Sequence, residues 1–277
     1  MRTIKTNTIT KTISQLCVEA NINLRRDVLA TLKSVYRKET NRRAKNILAD
    51  IIQNAAIAKK DKLAICQDTG LPVVFLEIGQ DVRIAGGDLN KSVHKGVELG
   101  YKKAGLRNSI VLDPLERKGY KFSPVVVHSD IVKGNKVKIT VLPKGFGCEN
   151  KSKLKMFNPT VGIDEIKKFI IEAVKSAGPN ACPPYVVGVG IGGTADYALF
   201  LAKEALLRKV KSKNVKVKSL EKDLLNEINL LNIGPMGLGG KTTALAINIE
   251  TYPTHMAGLP VAVNISCHAL RSATKTI

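Results

Sequence analysis

From about residue 10 to residue 60 apolar side chains recur at helical spacing with no proline to interrupt them, which commits the start of the chain to helix. Ile13, Leu16, Cys17, Leu29, Leu32, Ile47, Ile51 and Ile52 are the expected core positions. Strands are expected at 73–78, 125–131 and 136–142, the last two separated by Gly134-Asn135 in a hairpin-like arrangement. A helix over 89–103 lies between the first two strands. Further along, helix 164–176, strand 185–191 and helix 195–207 lead to a charged stretch, 209–218, that reads as an exposed connector. A helix over 220–231, a glycine-rich turn, and strands over 244–250 and 261–266 complete the pattern. The fold class is mixed α/β: a helical N-terminal segment, then strands alternating with helices around a binding site.

The chain has 277 residues and 44% hydrophobic content, enough for one large core or two small ones. Residues 1–12 are polar and basic without an apolar signal region, and no stretch approaches the roughly 18 apolar residues of a membrane span. The reading is therefore cytoplasmic, with no membrane partner. A formal charge of +21 raises nucleic acid as a partner. The lysines are dispersed, however, aromatics are few and no nucleic-acid module is recognisable, so a solvated surface or an anionic substrate explains the charge more simply. Five irregularly spaced cysteines argue against a secreted disulfide framework and leave metal binding, catalysis or packing.

The chemistry concentrates in Cys66-Gln67-Asp68-Thr69-Gly70, where a thiol, an amide and a carboxylate stand at the mouth of an apolar run. Cys182, before Pro183-Pro184, and Cys267, after 261–266, lie at similar strand-edge or turn positions. Three thiolates suit a soft metal or an iron-sulfur cluster and leave one coordination position for substrate; inert burial is the plainer alternative for each alone. Cys17 falls on the helical apolar stripe and reads as packing, while Cys148 is a possible fourth ligand.

Two glycine-rich patterns suggest nucleotides. Gly188, Gly190 and Gly193 have dinucleotide-loop spacing, but the acidic residue expected about twenty positions on is missing, and close strand-helix packing is the simpler explanation. Gly240-Lys241-Thr242 matches the end of a phosphate loop, yet Pro235 stands where the first glycine belongs and a helix precedes it. Amides near Gly239 and Gly240 could still cradle a carboxylate or phosphate.

Taken together, Cys66-Gln67-Asp68-Thr69-Gly70, Pro143-Lys144-Gly145-Phe146-Gly147-Cys148-Glu149-Asn150, Cys182-Pro183-Pro184 through Gly192-Gly193-Thr194, Met236 to Lys241 and His255 to Cys267 resemble, in order, class I fumarate hydratases. The resemblance covers most of the chain and is to the alpha subunit of the two-subunit form; L-tartrate dehydratase alpha subunits are similar. It implies one hydro-lyase alpha domain over 1–277, with the helical lead at about 10–60. It also implies a four-iron, four-sulfur cluster held by Cys66, Cys182 and Cys267, with one open iron facing substrate. Gln67, Asp68, Arg107, Gly145, Gly147 and His255 would surround the dicarboxylate or hydroxy acid, with Asp68 and His255 catalytic. The reaction implied is reversible hydration of fumarate to (S)-malate, as in the tricarboxylic acid cycle. A beta subunit would complete the active site in a hetero-oligomer.

Some positions depart from the family pattern. Cys148 stands where relatives carry a small residue that is not a ligand, and it is left out of the cluster. Leu270 replaces an acidic residue in Cys-x-Ala-Asp-Arg, and Phe146 stands within the glycine turn, where it would crowd substrate. A reading from another class is a non-enzymatic iron-sulfur regulator, which would use the thiols without needing Asp68, Arg107 and His255 together.

Overall fold

The computed structural model describes residues 1–210 and 217–277. Its elements are β1 Arg2–Lys5, α1 Thr6–Ile22, α2 Arg26–Lys38, α3 Arg42–Asp61, β2 Leu71–Gly79, β3 Val82–Ala85, α4 Leu89–Lys103, β4 Ile110–Asp113, β5 Lys118–Lys121, β6 Val126–Val132 and β7 Val137–Lys144. Then follow α5 Phe146–Glu149, β8 Lys153–Phe157, α6 Ile163–Ala177, β9 Tyr185–Gly193, α7 Ala195–Ala205, α8 Lys218–Leu230, β10 Ala244–Thr254, β11 Leu259–Ser266 and β12 Ala273–Thr276. The class is mixed α/β, as expected. Among the described residues no helix is long and apolar enough to cross a membrane. Most of the expected connector at 209–218 lies outside the described residues.

The chain forms two compact units. The first comprises Met1–Arg25, Ala55–Phe146 and Arg271–Ile277. Its main sheet has the order β12-β7-β2-β6. β2 is a central strand, nearly continuous in apolar residues, because it is paired on both edges: parallel to β6 and antiparallel to β7. This corrects the expected hairpin, since β6 and β7 lie on opposite sides of β2 and not beside each other. The buried run of β2 gains more from pairing on both edges than β6, all of whose residues are exposed or half-buried. Val74, Leu76, Ile139 and Val141 form a core with Ile9, Ile13, Leu16 and Cys17 of α1 and Val93, Val97 and Tyr101 of α4. α4 begins where Asp88 caps it, Oδ1 accepting the Lys91 N–H at 2.7 Å.

The second unit comprises Arg26–Asn54 and Gly147–Leu270. Its sheet runs β10-β9-β11-β8, with β9 parallel to β10 and antiparallel to β11. Alternation along β9 sorts its faces. Val187 and Val189 join Ile170 of α6 and Leu224 and Ile228 of α8 in the core. Gly188 and Gly190 face α7, where an added Cβ would lie 2.0 Å from the Ala202 carbonyl and 2.1 Å from that of Ala198. The glycine pattern is thus close strand-helix packing, as the missing acidic residue indicated.

The helical lead consists of three helices, α1 to α3. Asn41 caps α3 by accepting the Ala44 N–H at 3.1 Å, and the buried Glu39 carboxylate accepts the Thr40 and Asn41 N–H groups, both at 2.9 Å. That polar corner stops α2 before α3 begins.

Candidate active-site residues

In the first unit, residues 66–70 form a loop pinned through its backbone. Gly70, at φ +72°, takes a left-handed conformation against the backbone of Pro143 and Lys144, where a Cβ would come within 2.9 Å; only glycine fits. The buried Tyr101 hydroxyl donates to the Thr69 carbonyl at 2.7 Å. Burial chiefly, with Cys17 adding to it, pushes the Tyr101 phenol up, so it remains a donor. Thr69 Oγ1 accepts the Arg107 N–H at 3.2 Å. Arg271, buried, donates through Nη2 to the Asp68 carbonyl.

Within the loop the Thr69 side chain is buried. Cys66 and Asp68 are half-buried, and Gln67 is exposed. Both oxygens of Asp68 are oriented: Oδ1 accepts the Gly70 N–H and Oδ2 the Phe146 N–H, each at 2.9 Å. Gly145 lies close by: a Cβ there would come 3.2 Å from Asp68 Oδ2, a tight contact. The Phe146 amide is therefore committed to Asp68, and Phe146 itself is 46% exposed. Arg107 presents an exposed side chain just after α4.

Cys182, Cys267 and His255 belong to the second unit, as does Gly147. Cys182 ends a short 3-10 turn in a left-handed conformation, φ 56° and ψ 66°. Its carbonyl accepts the His268 N–H at 3.4 Å and contacts His268 Nδ1 at 3.1 Å, which ties the Cys182 turn to the segment after β11 that carries Cys267. Both thiols are half-buried. Cys148 is buried, its Sγ donating to the Ala181 carbonyl at 3.2 Å. Tyr185, whose hydroxyl donates to the Gly178 carbonyl, is pushed up by burial first and then by the neighbouring Cys148 thiol. His255 is exposed in the turn between β10 and β11. Its Nδ1 accepts the Ala257 N–H at 3.2 Å, which makes Nε2 the protonated nitrogen of the neutral ring.

None of the five cysteines is in a disulfide. Cys17 is fully buried and burial pushes its thiol up, as suits packing. Cys66, Cys182 and Cys267 are instead half-buried at loops, a soft donor set compatible with an iron-sulfur cluster. Within either unit, among the described residues, no three His, Cys, Asp or Glu side chains are grouped closely enough to hold a metal ion by themselves.

The second glycine pattern is corrected. Its amides donate within the fold: Gly237 to the Gly234 carbonyl at 3.1 Å, Gly239 to that of Ile233 at 2.9 Å, Gly240 to Asn232 Oδ1 at 3.0 Å, and Lys241 to Glu39 Oε2 at 2.8 Å. A cradle whose donors are already engaged has none to offer an anion. Glu39, Tyr101 and Arg271 were not assigned roles from sequence. Only Arg271 carried a signal, its place four residues after a candidate ligand.

The sequence model of the fumarate hydratase (Fumerase) family matches residues 10–276. The chain belongs to that family. A protein of Methanocaldococcus jannaschii, provisionally named L(+)-tartrate dehydratase subunit alpha, is 42% identical, with 97% of each chain covered. The L(+)-tartrate dehydratase subunit alpha of Escherichia coli K12 is 31% identical over 97% of this chain and 90% of its own length.

Proposed function

We propose that this chain is the alpha subunit of an iron-sulfur hydro-lyase that reversibly hydrates fumarate to (S)-malate. The observation that carries the reading is the family match, which spans residues 10–276 and takes in all three half-buried thiols as well as the Asp68 loop. Cys66, Cys182 and Cys267 would hold a four-iron, four-sulfur cluster. When bound, that cluster supplies a Lewis-acidic iron with an open position, so water addition needs no redox change.

The side chains of the chain meet the remaining demands. Asp68 has its carboxylate held by two N–H bonds, and the remaining lone pairs are free to take or return the proton of the hydroxyl group. Exposed Arg107 offers a planar fork to one carboxylate of the substrate, and Gln67 an amide. His255 presents Nε2–H as a donor. Gly145 and Gly147 add no side chain of their own to the turn that a dicarboxylate would approach. A beta subunit would contribute further substrate contacts and the base for the carbon-bound proton; the relatives carry "subunit alpha" in their names, which supports a divided enzyme.

The names of the relatives also favour a second substrate, L-tartrate, which differs from malate by one hydroxyl. Anaerobic reconstitution with iron, sulfide and the beta subunit, followed by parallel assays on fumarate, malate and L-tartrate, tests both. Turnover of fumarate and malate above tartrate supports the main reading, and the reverse order replaces it with the second. An intact cluster with no turnover of any of the three would instead favour a non-enzymatic regulator.

A further inference from the structure

Arg271 is 3% exposed, and its Nη2 donates to the Asp68 carbonyl, while Nε and Nη1 are buried without a hydrogen-bond partner. A guanidinium carries five donors and a charge that it does not shed. Burying it against one neutral carbonyl leaves both largely uncompensated, a costly arrangement unless an anion completes it. Nothing nearby in the first unit serves. The Asp68 carboxylate is engaged with the Gly70 and Phe146 amides. Tyr101 spends its hydroxyl on Thr69 and stays protonated. Leu270, the adjoining residue, is apolar and 1% exposed, and among the described residues no carboxylate pairs with Arg271.

We propose that Arg271 is an anion anchor for the loop bearing Cys66: Nη2 fixes the Asp68 carbonyl, while Nε and Nη1 donate to an anionic ligand seated against residues 66–69. The ligand chemistry is that of a compact acceptor-rich anion, supplied either by the sulfur atoms of the cluster or by a carboxylate of the substrate. The inference rests on the hydro-lyase reading above.

The test uses the full chain, reconstituted anaerobically with iron and sulfide, as wild type, Arg271→Met and Arg271→Lys. Thermal midpoints are taken before and after loading, with and without L-malate or L-tartrate, together with the rate of iron loss to a ferrous chelator. An anchor predicts that unloaded Arg271→Met melts within about 3 °C of unloaded wild type, because an uncompensated buried charge has been removed along with one hydrogen bond. If the cluster is the anion, iron loss from Arg271→Met accelerates about 10- to 100-fold and the midpoint gained on loading shrinks. If substrate is the anion, iron loss is unchanged, but added L-malate or L-tartrate no longer raises the midpoint. Arg271→Lys, with charge but no fork, falls between, and it carries the comparison should Arg271→Met not fold. Equal lowering of loaded and unloaded midpoints, with wild-type iron loss and ligand shifts, overturns the anchor alone. Failure of wild type to take up iron and sulfide overturns the hydro-lyase reading with it.

Discussion

The loop at 66–70 and the glycine-rich loop at 234–242 look equally functional as strings of letters, yet the fold treats their polar groups in opposite ways. In the first, neighbours seize the backbone: Tyr101 and Arg271 take the carbonyls of Thr69 and Asp68, while Gln67 is exposed and Cys66 and Asp68 are half-buried. In the second, the amides that would bind an anion are spent on Asn232, Glu39 and nearby carbonyls, and the loop serves to close a corner of the second unit. A candidate reactive loop has its backbone held by neighbours and carries its chemistry on side chains. A motif whose backbone is meant to bind ligand fails that test when its own fold uses the donors.

The largest expected effect tests the first loop. Cys66→Ser reduces reconstituted iron to background and abolishes hydration, while the unloaded thermal midpoint moves by no more than about 3 °C; iron analysis at wild-type stoichiometry would remove Cys66 from the ligand set. Next, Asp68→Asn retains iron but slows hydration about 10²- to 10⁴-fold. A steady-state kcat within threefold of wild type would reduce Asp68 to a loop tether. On the structural side, Glu39→Ala strips acceptors from the Thr40, Asn41 and Lys241 amides and lowers unfolding free energy by about 2 kcal/mol in urea titrations. Turnover of the loaded protein should then stay within about twofold. Smallest of all, Lys241→Ala, at an exposed position, changes stability by less than about 0.5 kcal/mol and leaves kcat/KM unaltered. A tenfold loss there would restore the glycine loop as a binding site and break the contrast.

Elements with strong local signals were legible in the sequence. The helix expected at 89–103 is α4, with the same bounds, because Asp88 caps it and its apolar residues keep helical spacing. Strand 185–191 was visible as an apolar run, and its glycines were correctly attributed to packing. What failed was pairing. Gly134-Asn135 is a good turn, but the choice between joining β6 to β7 and inserting β2 between them depends on which edges gain most from burial, a comparison made across the sheet. β8 and β12 were missed because Lys153–Phe157 and Ala273–Thr276 are edge strands of only five and four residues, each with all but one residue exposed. The Thr40-Asn41 pair was a readable capping signal that divides the helical lead. The Arg271 contact with Asp68 spans 203 residues of sequence, and no local pattern announces it.

The pairing of β12 with β7 also bears on how the protein is made. Residues 138–141 form their outer ladder only with residues 273–276, through pairs such as Thr140 with Thr274. At ordinary synthesis speeds the β7 partner is translated roughly 7–26 s later. Until then a buried-type apolar strand presents a bare edge on the ribosome, open to the same edge on a neighbouring nascent chain. Slow translation of the intervening codons, or scarcity of chaperones, would lower the yield of this protein without altering any property of the molecules that do fold.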